Sequence, residues 1–214
     1  MSEQALREEI VAVAQAIDKA GFCPSKSGNV SARVGDGFLI TPSGLPYART
    51  KPEDLIHLAH DGAVLSGSRK PSSEWPFHVA IYKARPDAEA IVHTHSPRAT
   101  ALSCARRGIP AFHYMIALCG GSDVRCADYA TFGSPELAAN AVAALEGRKA
   151  VLLANHGVIA LGASLAGAHT IVAEVENLAG QYLDLLASGL EPVILDEAEM
   201  ERVSAKFAGY GKVG

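Results

Sequence analysis

The sequence predicts an α/β fold in which helices and strands alternate along the chain. Three observations lead to this prediction: an amphipathic helix opens the chain, strand patterns pair around Asp-Gly turns, and the apolar run 150–154 is typical of a buried strand. With 214 residues, of which 49% are hydrophobic and 20% charged, the chain can bury a sizeable core. We expect a single domain over residues 1–214, although this length also allows two small ones.

The first helix is predicted over residues 2–20. Its apolar residues recur at spacings of three and four, which places them on one face of a helix. Gly21 follows, and glycine commonly ends a helix because it adopts a left-handed backbone conformation easily. The residues of the apolar face are Leu6, Ile10, Val13 and Ile17.

Two hairpins are predicted after this helix. Asp36-Gly37 and Asp61-Gly62 are dipeptides that favour tight turns between antiparallel strands. The corresponding strands are 30–34 and 38–41 for the first hairpin, and the two arms of 55–65 for the second.

A second helix is predicted to begin at Ser72 or Ser73, either of which is a natural N-cap, and to run to Ala84. Glu74 then falls in the first turn, where the helix dipole favours a carboxylate. His78 lies one turn after Glu74, and we expect it to pack in the core.

The rest of the chain continues to alternate between helix and strand patterns. A Ser-Pro pair at residues 134–135 is typical of a helix start. The predicted elements are a helix at 97–107, a strand at 111–118, a helix from 134 to 147, strands at 150–154 and 158–161, and helices at 162–186 and 196–207.

Composition and charge exclude several classes of function. The formal charge of −4 argues against a general nucleic-acid or membrane-surface binder, both of which use a basic face. No apolar run reaches membrane-spanning length, and the first residues do not resemble a secretory leader, so we expect a cytoplasmic protein. The four cysteines show no C-x-x-C spacing and are expected to be small buried residues.

A candidate metal site begins at the strand that ends in His93-Thr-His95. Alternate residues of a strand face the same side, so the two imidazoles lie side by side. His156 follows the buried strand 150–154 and precedes a glycine, which makes it the natural third ligand. Zinc commonly takes three protein ligands at catalytic sites. The alternative is a pair of surface histidines at a strand end.

Two polar turns, 25–30 and 41–46, form a candidate anion site. Each follows or precedes a strand, and together they can present several backbone N–H groups and hydroxyls to one anion. The N-terminus of the helix that begins near Ser72 is a third place where a phosphate group can bind. The alternative is ordinary turn chemistry, since the same residue types dominate turns.

Five ordered motifs resemble the class II aldolase/epimerase family, which includes L-fuculose-1-phosphate aldolase and L-ribulose-5-phosphate 4-epimerase. The motifs are Ser27-Gly-Asn-Val-Ser31, Thr41-Pro-Ser-Gly44, Pro71-Ser-Ser-Glu74, His93-Thr-His95 and Asn155-His156-Gly157. The aldolase branch is the closer match, because the family's epimerases have an Asp at the position of Glu74. Residues 113–116 and 206–211 also look like the fuculose-phosphate aldolase.

The resemblance implies an α/β fold with a central, largely antiparallel sheet flanked by helices. It also implies a homotetramer with active sites at subunit interfaces. It implies that zinc is held by His93, His95, His156 and Glu74. The positions that match the phosphate site are Gly28, Asn29, Ser43, Gly44, Ser72 and Ser73.

The same resemblance implies roles in catalysis. Glu74 is expected to move a proton, and Tyr114 or Tyr210 to assist proton transfer from a neighbouring subunit. Lys26 departs from the family pattern, since the fuculose enzyme has a small hydroxyl residue there; a lysine could strengthen phosphate binding or change which substrate fits.

The expected function is zinc-dependent, reversible cleavage of a ketose 1-phosphate to dihydroxyacetone phosphate and an aldehyde. The candidate substrates are L-fuculose 1-phosphate and 5-deoxy- or 5-methylthio-ribulose 1-phosphate. Three alternatives remain open: a sugar-phosphate 4-epimerase, a sugar-acid phosphate decarboxylase, and a metal-free interaction domain like the adducin head.

Overall fold

A computed structural model describes residues 2–209 of the chain, with side chains up to Phe207. Its helices are α1 (Glu3–Lys19), α2 (Trp75–Ala84), α3 (Pro97–Cys104), α4 (Pro135–Ala144), α5 (Leu165–Ser188) and α6 (Glu197–Gly209). Its strands are β1 (Asn29–Val34), β2 (Gly37–Ile40), β3 (Ile56–Ala59), β4 (Val64–Ser66), β5 (Ala90–Thr94), β6 (Ile109–Pro110), β7 (Asp123–Ala127), β8 (Ala150–Leu153) and β9 (Gly157–Gly162).

The strands form one nine-stranded sheet in the order β4-β3-β2-β1-β5-β9-β8-β7-β6. Within the described residues, only the pairing of β7 with β8 is parallel. The α/β prediction and the largely antiparallel central sheet are therefore confirmed. None of the helices in this part of the chain combines the length and the hydropathy that crossing a membrane would need.

The central strands are buried on both faces, and alternate side chains enter two separate cores. On β5, Val92 contributes to the core under α1, α3 and α5, whereas Ile91 contributes to the core under α2 and α4. Because His93 has the same parity as Ile91, it faces the α2 side of the sheet. The sheet thereby directs the predicted ligands toward the start of α2.

The predicted first helix and both hairpins are confirmed. Helix α1 ends in a Schellman motif, in which the N–H groups of Gly21 and Phe22 donate to the carbonyls of Asp18 and Ile17, each at 2.9 Å. Gly21 has φ +78°, so its left-handed conformation is what stops the helix. At α4, Ser134 caps the helix as predicted, since its hydroxyl accepts from the Leu137 N–H.

The strand predicted at 111–118 is wrong. The chain forms the two-residue strand β6 and then a 3₁₀ helix, Tyr114–Cys119. The His113 side chain accepts a hydrogen bond from the Met115 N–H, which caps this helix, and Gly120 ends it at φ +89°. The following strand β7 had no predicted counterpart. The polar and apolar residues of β7 do not alternate cleanly, so the sequence pattern does not identify this segment as a strand.

The predicted start of α2 is also wrong. Glu74 itself occupies the N-cap position and makes no capping bond with its side chain, so neither Ser72 nor Ser73 is the cap. The side chain of an N-cap residue accepts from the N–H group two or three residues after it. Three residues after Ser73 is Pro76, which has no N–H group. The Ser72 hydroxyl instead accepts from the Glu74 N–H at 3.3 Å. The Glu74 carboxylate therefore takes no part in capping the helix.

The expectation of four buried cysteines holds only in part. Cys23 and Cys119 are buried, Cys126 is partly buried and Cys104 is exposed. All four are free thiols.

Candidate metal and substrate site

Two predicted ligands lie side by side at the end of β5. His93 is fully buried, and its Nδ1 atom lies 2.9 Å from the Val158 carbonyl oxygen. A carbonyl oxygen only accepts, so Nδ1 carries the proton and the lone pair of Nε2 points away from the sheet. The Nε2 atoms of His93 and His95 are 3.1 Å apart. The strand therefore presents both imidazoles to one point.

The third histidine lies in the turn between β8 and β9. Asn155 has φ +55°, a left-handed conformation that asparagine adopts more readily than most residues. Gly157 is required by close approach, because a Cβ atom there would collide with the Thr94 carbonyl oxygen and lie 3.0 Å from the His95 ring. The turn thereby brings His156 against the strand that carries the other two histidines.

Glu74 completes the cluster from the start of α2. Its Oε2 atom lies 3.0 Å from His93 Nε2, and its Oε1 atom lies 3.1 Å from His156 Nε2. Asn29, which pairs with His93 across β1 and β5, donates from Nδ2 to Oε2 at 3.1 Å. The structure thus brings together all four predicted ligands, whose candidate atoms lie within 4.8 Å of one another.

This cluster has the donor set of a divalent metal site. Imidazole nitrogens and a carboxylate suit zinc and related ions. On a tetrahedral ion with bonds of about 2.0–2.1 Å, ligand atoms are roughly 3.3 Å apart. The separations of 3.0–3.1 Å within the cluster are close to that value. Glu74 Oε1 is buried without a hydrogen-bond donor, and a cation would satisfy it.

The electrostatics of the cluster favour the forms of these groups that bind a cation. Burial raises the pKa of Glu74, but His93 and His156 outweigh burial and hold that pKa well below its usual range. Burial, with the nearby His93 and His156, lowers the pKa of His95 to about 3. At neutral pH the carboxylate is charged and the His95 ring is neutral, as metal ligands must be.

A cavity of about 320 Å³ opens beside the cluster. Its wall contains every residue predicted to bind the phosphate, namely Lys26, Gly28, Asn29, Ser43, Gly44, Ser72 and Ser73. Two backbone hydrogen bonds join the turn after β2 to the segment before α2. The Ser43 N–H donates to the Lys70 carbonyl at 2.9 Å, and the Ser72 N–H donates to the Thr41 carbonyl at 3.1 Å. Three of the four candidate metal ligands line the same cavity.

The turn at residues 26–28 has an unusual backbone. Gly28 has φ +80°, and a Cβ atom there would lie 2.6 Å from the His93 carbonyl oxygen, so only glycine fits. The buried Tyr47 hydroxyl donates to the Gly28 carbonyl at 2.6 Å and fixes the turn. Lys26 has φ +65° and an exposed side chain, which leaves its ammonium group accessible to an anion in the cavity.

Comparisons with known proteins agree with this geometry. The family model of the class II aldolase and adducin N-terminal domain matches residues 8–183. The chain belongs to this family. A 5-methylthioribulose-1-phosphate/5-deoxyribulose-1-phosphate aldolase from Rhodospirillum rubrum is 50% identical over 210 residues, covering 98% of this chain and 94% of that protein.

Two further class II aldolase relatives extend the comparison. An L-fuculose phosphate aldolase from Escherichia coli is 42% identical over 211 residues, which make up 99% of this chain and 98% of that protein. A solved structure of an L-fuculose 1-phosphate aldolase is 41% identical, has a TM-score of 0.93, and covers 97% of this chain and 98% of its own. These findings confirm the predicted family and the prediction of a class II aldolase enzyme.

Of the two tyrosines predicted to be catalytic in this class II aldolase, Tyr114 lies within the described residues. Tyr114 is 51% exposed on the 3₁₀ helix, and its ring stacks on Phe207 with centroids 6.3 Å apart. It does not line the cavity formed by the described residues. Tyr210 lies outside the described residues. The catalytic roles of both tyrosines stay predictions.

Sequence reasoning missed two aromatic residues of the cavity. Tyr129 and Phe132 line it and are 51% and 66% exposed. They lie in the loop between β7 and α4, and β7 was not recognised, so nothing placed this loop near the cluster. Asn155 also lines the cavity; it belongs to the predicted motif but had been given no role of its own.

Proposed function

We propose that this protein is a zinc-dependent aldolase that cleaves a ketose 1-phosphate reversibly to dihydroxyacetone phosphate and an aldehyde. The observation that carries the proposal is one cavity with two chemically different ends. The four candidate metal ligands lie at one end, and three segments rich in small polar residues form the other. A short ketose phosphate has the same two ends, an anionic group and a carbonyl beside a hydroxyl.

The phosphate is bound mainly by backbone and hydroxyl groups. The turns at Gly28 and Gly44 and the hydroxyl of Ser73 supply donors, and the start of α2 supplies the positive end of a helix dipole. Lys26 adds the only lysine or arginine charge among the described residues that line the cavity. Its attraction for the phosphate is exposed to solvent and therefore depends on salt.

The proton chemistry belongs to Glu74. When bound by the cluster, zinc supplies Lewis-acid chemistry that makes the neighbouring carbonyl a stronger electron acceptor. In the synthetic direction, Glu74 removes a proton from the hydroxymethyl carbon of dihydroxyacetone phosphate; the C–H bond breaks, an O–H bond forms on the carboxylate, and the electron pair gives an enediolate. In cleavage, Glu74 returns that proton after the bond between the third and fourth carbons has broken.

A tyrosine is proposed to serve the aldehyde end. Tyr114 or Tyr210 would take the proton of the hydroxyl on the fourth carbon as the carbon–carbon bond breaks. The exposed position of Tyr114 fits a contribution to a neighbouring subunit's cavity better than to its own. The resemblance to the fuculose-phosphate aldolase branch leads us to propose a homotetramer with active sites at subunit interfaces, and we propose a cytoplasmic location for it.

Two aromatic residues of the cavity support a proposal about the aldehyde that is released. Tyr129 and Phe132 provide aromatic surface at its edge, which suits an aldehyde with an apolar end. The ketose phosphates named for the relatives are 5-methylthioribulose 1-phosphate, 5-deoxyribulose 1-phosphate and L-fuculose phosphate, whose aldehyde halves end in a methyl or methylthio group. The first two are favoured here because the relative named for them is 50% identical, against 42% for the fuculose enzyme.

The decisive experiment is a product assay across these three ketose 1-phosphates. Formation of dihydroxyacetone phosphate is expected with at least one of them. A 4-epimerase would instead convert a ketose phosphate to its isomer without releasing that product, and a decarboxylase would release carbon dioxide from a sugar-acid phosphate. Either result, with no dihydroxyacetone phosphate from any of the three, would contradict the proposal.

Metal analysis tests the cluster separately. Protein purified without a histidine tag is expected to hold one zinc ion per chain, and the His93→Ala/His95→Ala double variant to hold none. His169→Ala, which changes a histidine on α5 away from the cluster, is the control and should keep its metal. Stoichiometric metal in the double variant would refute this site, whereas wild-type protein without metal would favour a metal-free interaction domain.

A further inference from the structure

A chain of buried hydrogen bonds leads from Tyr82 to the candidate base Glu74. The Tyr82 hydroxyl lies 2.8 Å from Ser31 Oγ, which lies 2.7 Å from His78 Nδ1. On the other side of the ring, His78 Nε2 lies 2.5 Å from Asn29 Oδ1. Asn29 Nδ2 then lies 3.1 Å from Glu74 Oε2. Five side chains from β1 and α2 are thus joined in series.

The chemistry of the groups fixes the direction of each bond. A carboxylate only accepts, so the Asn29 NH₂ group must face Glu74 and its Oδ1 atom must face His78. His78 therefore donates from Nε2, and its Nδ1 accepts the proton of Ser31. Since the Ser31 hydroxyl has a single proton, its oxygen accepts from Tyr82.

The surroundings keep His78 and Tyr82 in the protonation states that these hydrogen-bond directions require. His78 is fully buried, and its ring stacks on Phe77 with centroids 4.6 Å apart. Burial lowers the pKa of His78 to about 3, so the ring is neutral and carries one N–H. Burial raises the pKa of Tyr82, so its hydroxyl keeps the proton that it donates.

We propose that His78 is a positioning residue that locks the Asn29 amide, and that the locked amide holds the Glu74 carboxylate in place through its bond to Oε2. This inference rests on the proposed function, in which Glu74 moves a substrate proton. Oε2 accepts from Asn29 Nδ2 at 3.1 Å, so an Asn29 amide that is not locked can rotate and turn its oxygen toward the carboxylate.

This proposal adds to the sequence-based expectation for His78. The expectation of core packing holds, because Phe77 and Phe38 stack on the ring. Packing alone, however, would not require a hydrogen bond at either ring nitrogen. Both ring nitrogens are bonded, and one bond leads to a residue that touches the base. Residues that orient the groups around a metal typically change activity about 10–100-fold when replaced.

The test compares His78→Phe with His78→Gln. Phenylalanine keeps the stacked ring but removes both hydrogen bonds, whereas the glutamine amide can donate toward Asn29 and accept from Ser31. We expect His78→Phe to lower solvent-deuterium exchange into dihydroxyacetone phosphate about 10–100-fold at unchanged zinc content. His78→Gln should recover most of that exchange.

His60→Phe is the matched control. His60 stacks on Phe38, as His78 does, and meets the Tyr82 ring edge-on, but it makes none of the hydrogen bonds of the chain. Exchange in this variant should equal that of the wild-type protein. Wild-type exchange in His78→Phe, or equal losses in His78→Phe and His78→Gln, would overturn the proposal.

A second measurement uses the wild-type protein and needs no activity. In full-length protein labelled with ¹⁵N-histidine, the nitrogen shifts of His78 are expected to show a neutral ring protonated at Nε2. A ring protonated at Nδ1, or at both nitrogens at neutral pH, would overturn the proposal. If the ring has the expected form but the wild-type protein exchanges no deuterium, the proposed aldolase function fails and the hydrogen-bond lock stands.

Discussion

Replacing Glu74 with glutamine separates the proton chemistry from metal binding. Glu74 is 7% exposed, and its two oxygens lie 3.0 and 3.1 Å from His93 and His156 Nε2 atoms. Glutamine has the same shape but cannot accept a proton from carbon. General acid–base catalysis contributes about 10²–10⁴-fold, so deuterium exchange into dihydroxyacetone phosphate should fall by at least about a hundredfold.

The same substitution should preserve the fold and most of the metal. The amide oxygen of Gln can still accept from Asn29, which now bonds Glu74 Oε2 at 3.1 Å. The three histidines remain, and three protein ligands are sufficient for zinc at a catalytic site. Thermal melting and elemental analysis should therefore stay close to wild-type values while exchange, followed by proton NMR, is lost.

Glu176→Gln provides the matched control for this experiment. The Glu176 carboxylate accepts the N–H groups of Arg98 and Ala99, each at 2.9 Å, and so caps α3 away from the cavity. This variant should melt at a lower temperature but exchange normally. Normal exchange in Glu74→Gln with full metal would show that another group is the base. Exchange lost in proportion to metal would show that Glu74 acts only as a ligand.

Three further predictions test the phosphate site, the tail and the buried histidine. Lys26→Ala should raise the Michaelis constant for the ketose phosphate more at low salt than at high salt, and the control Lys83→Ala on α2 should leave that constant unchanged at both salt concentrations. An unchanged Michaelis constant at low salt in Lys26→Ala would place Lys26 outside the site. Removal of residues from Ala208 onward, Tyr210 included, should spare zinc content and deuterium exchange but sharply reduce ketose cleavage, and equal loss of both activities would contradict this. The pKa of His78 is about 3 in the folded state and about 6.5 in the unfolded state. Between these pH values only the unfolded state binds the proton, so the free energy of unfolding should fall by about 1.4 kcal/mol for each unit by which the pH is lowered. His78→Gln should show a shallower slope in urea titrations between pH 7 and 5, and an unchanged slope would refute the assignment.

The metal cluster could be predicted from sequence because its geometry is mostly local. The spacing of His93 and His95 fixes their common face as soon as the segment is a strand. His156 follows a strand that is recognisable as buried, and the glycine after it is required by the close approach of Thr94. The turn at Gly28 is similar, since its positive φ and its contact with the His93 carbonyl both need glycine.

The hydrogen-bond chain could not be predicted because its partners are far apart in sequence. His78 bonds Ser31 and Asn29 across separations of 47 and 49 residues. Periodicity shows that His78 faces the core of the protein, but only the packing of α2 over β1 shows which polar atoms it meets. The strand predicted at 111–118 is wrong for a different, local reason, since the side chain of His113 accepts from the Met115 N–H and caps a 3₁₀ helix there.

The backbone itself concentrates strain at this cavity. Among the described residues, four non-glycine residues have positive φ: Ser25, Lys26, Arg106 and Asn155. Lys26 and Asn155 line the cavity, Ser25 adjoins Lys26, and Arg106 Nε donates to Asn155 Oδ1 at 3.1 Å. Each such conformation costs on the order of 1–3 kcal/mol and persists only where surrounding contacts hold it. Here the Ser27 N–H bonds the Pro24 carbonyl at 3.1 Å and the Asn155 N–H bonds the Ser103 carbonyl at 3.0 Å. The fold therefore places its least favourable backbone in the wall of the cavity, Lys26 among the proposed phosphate-binding residues and Asn155 next to the candidate metal ligand His156, and a backbone hydrogen bond holds each turn.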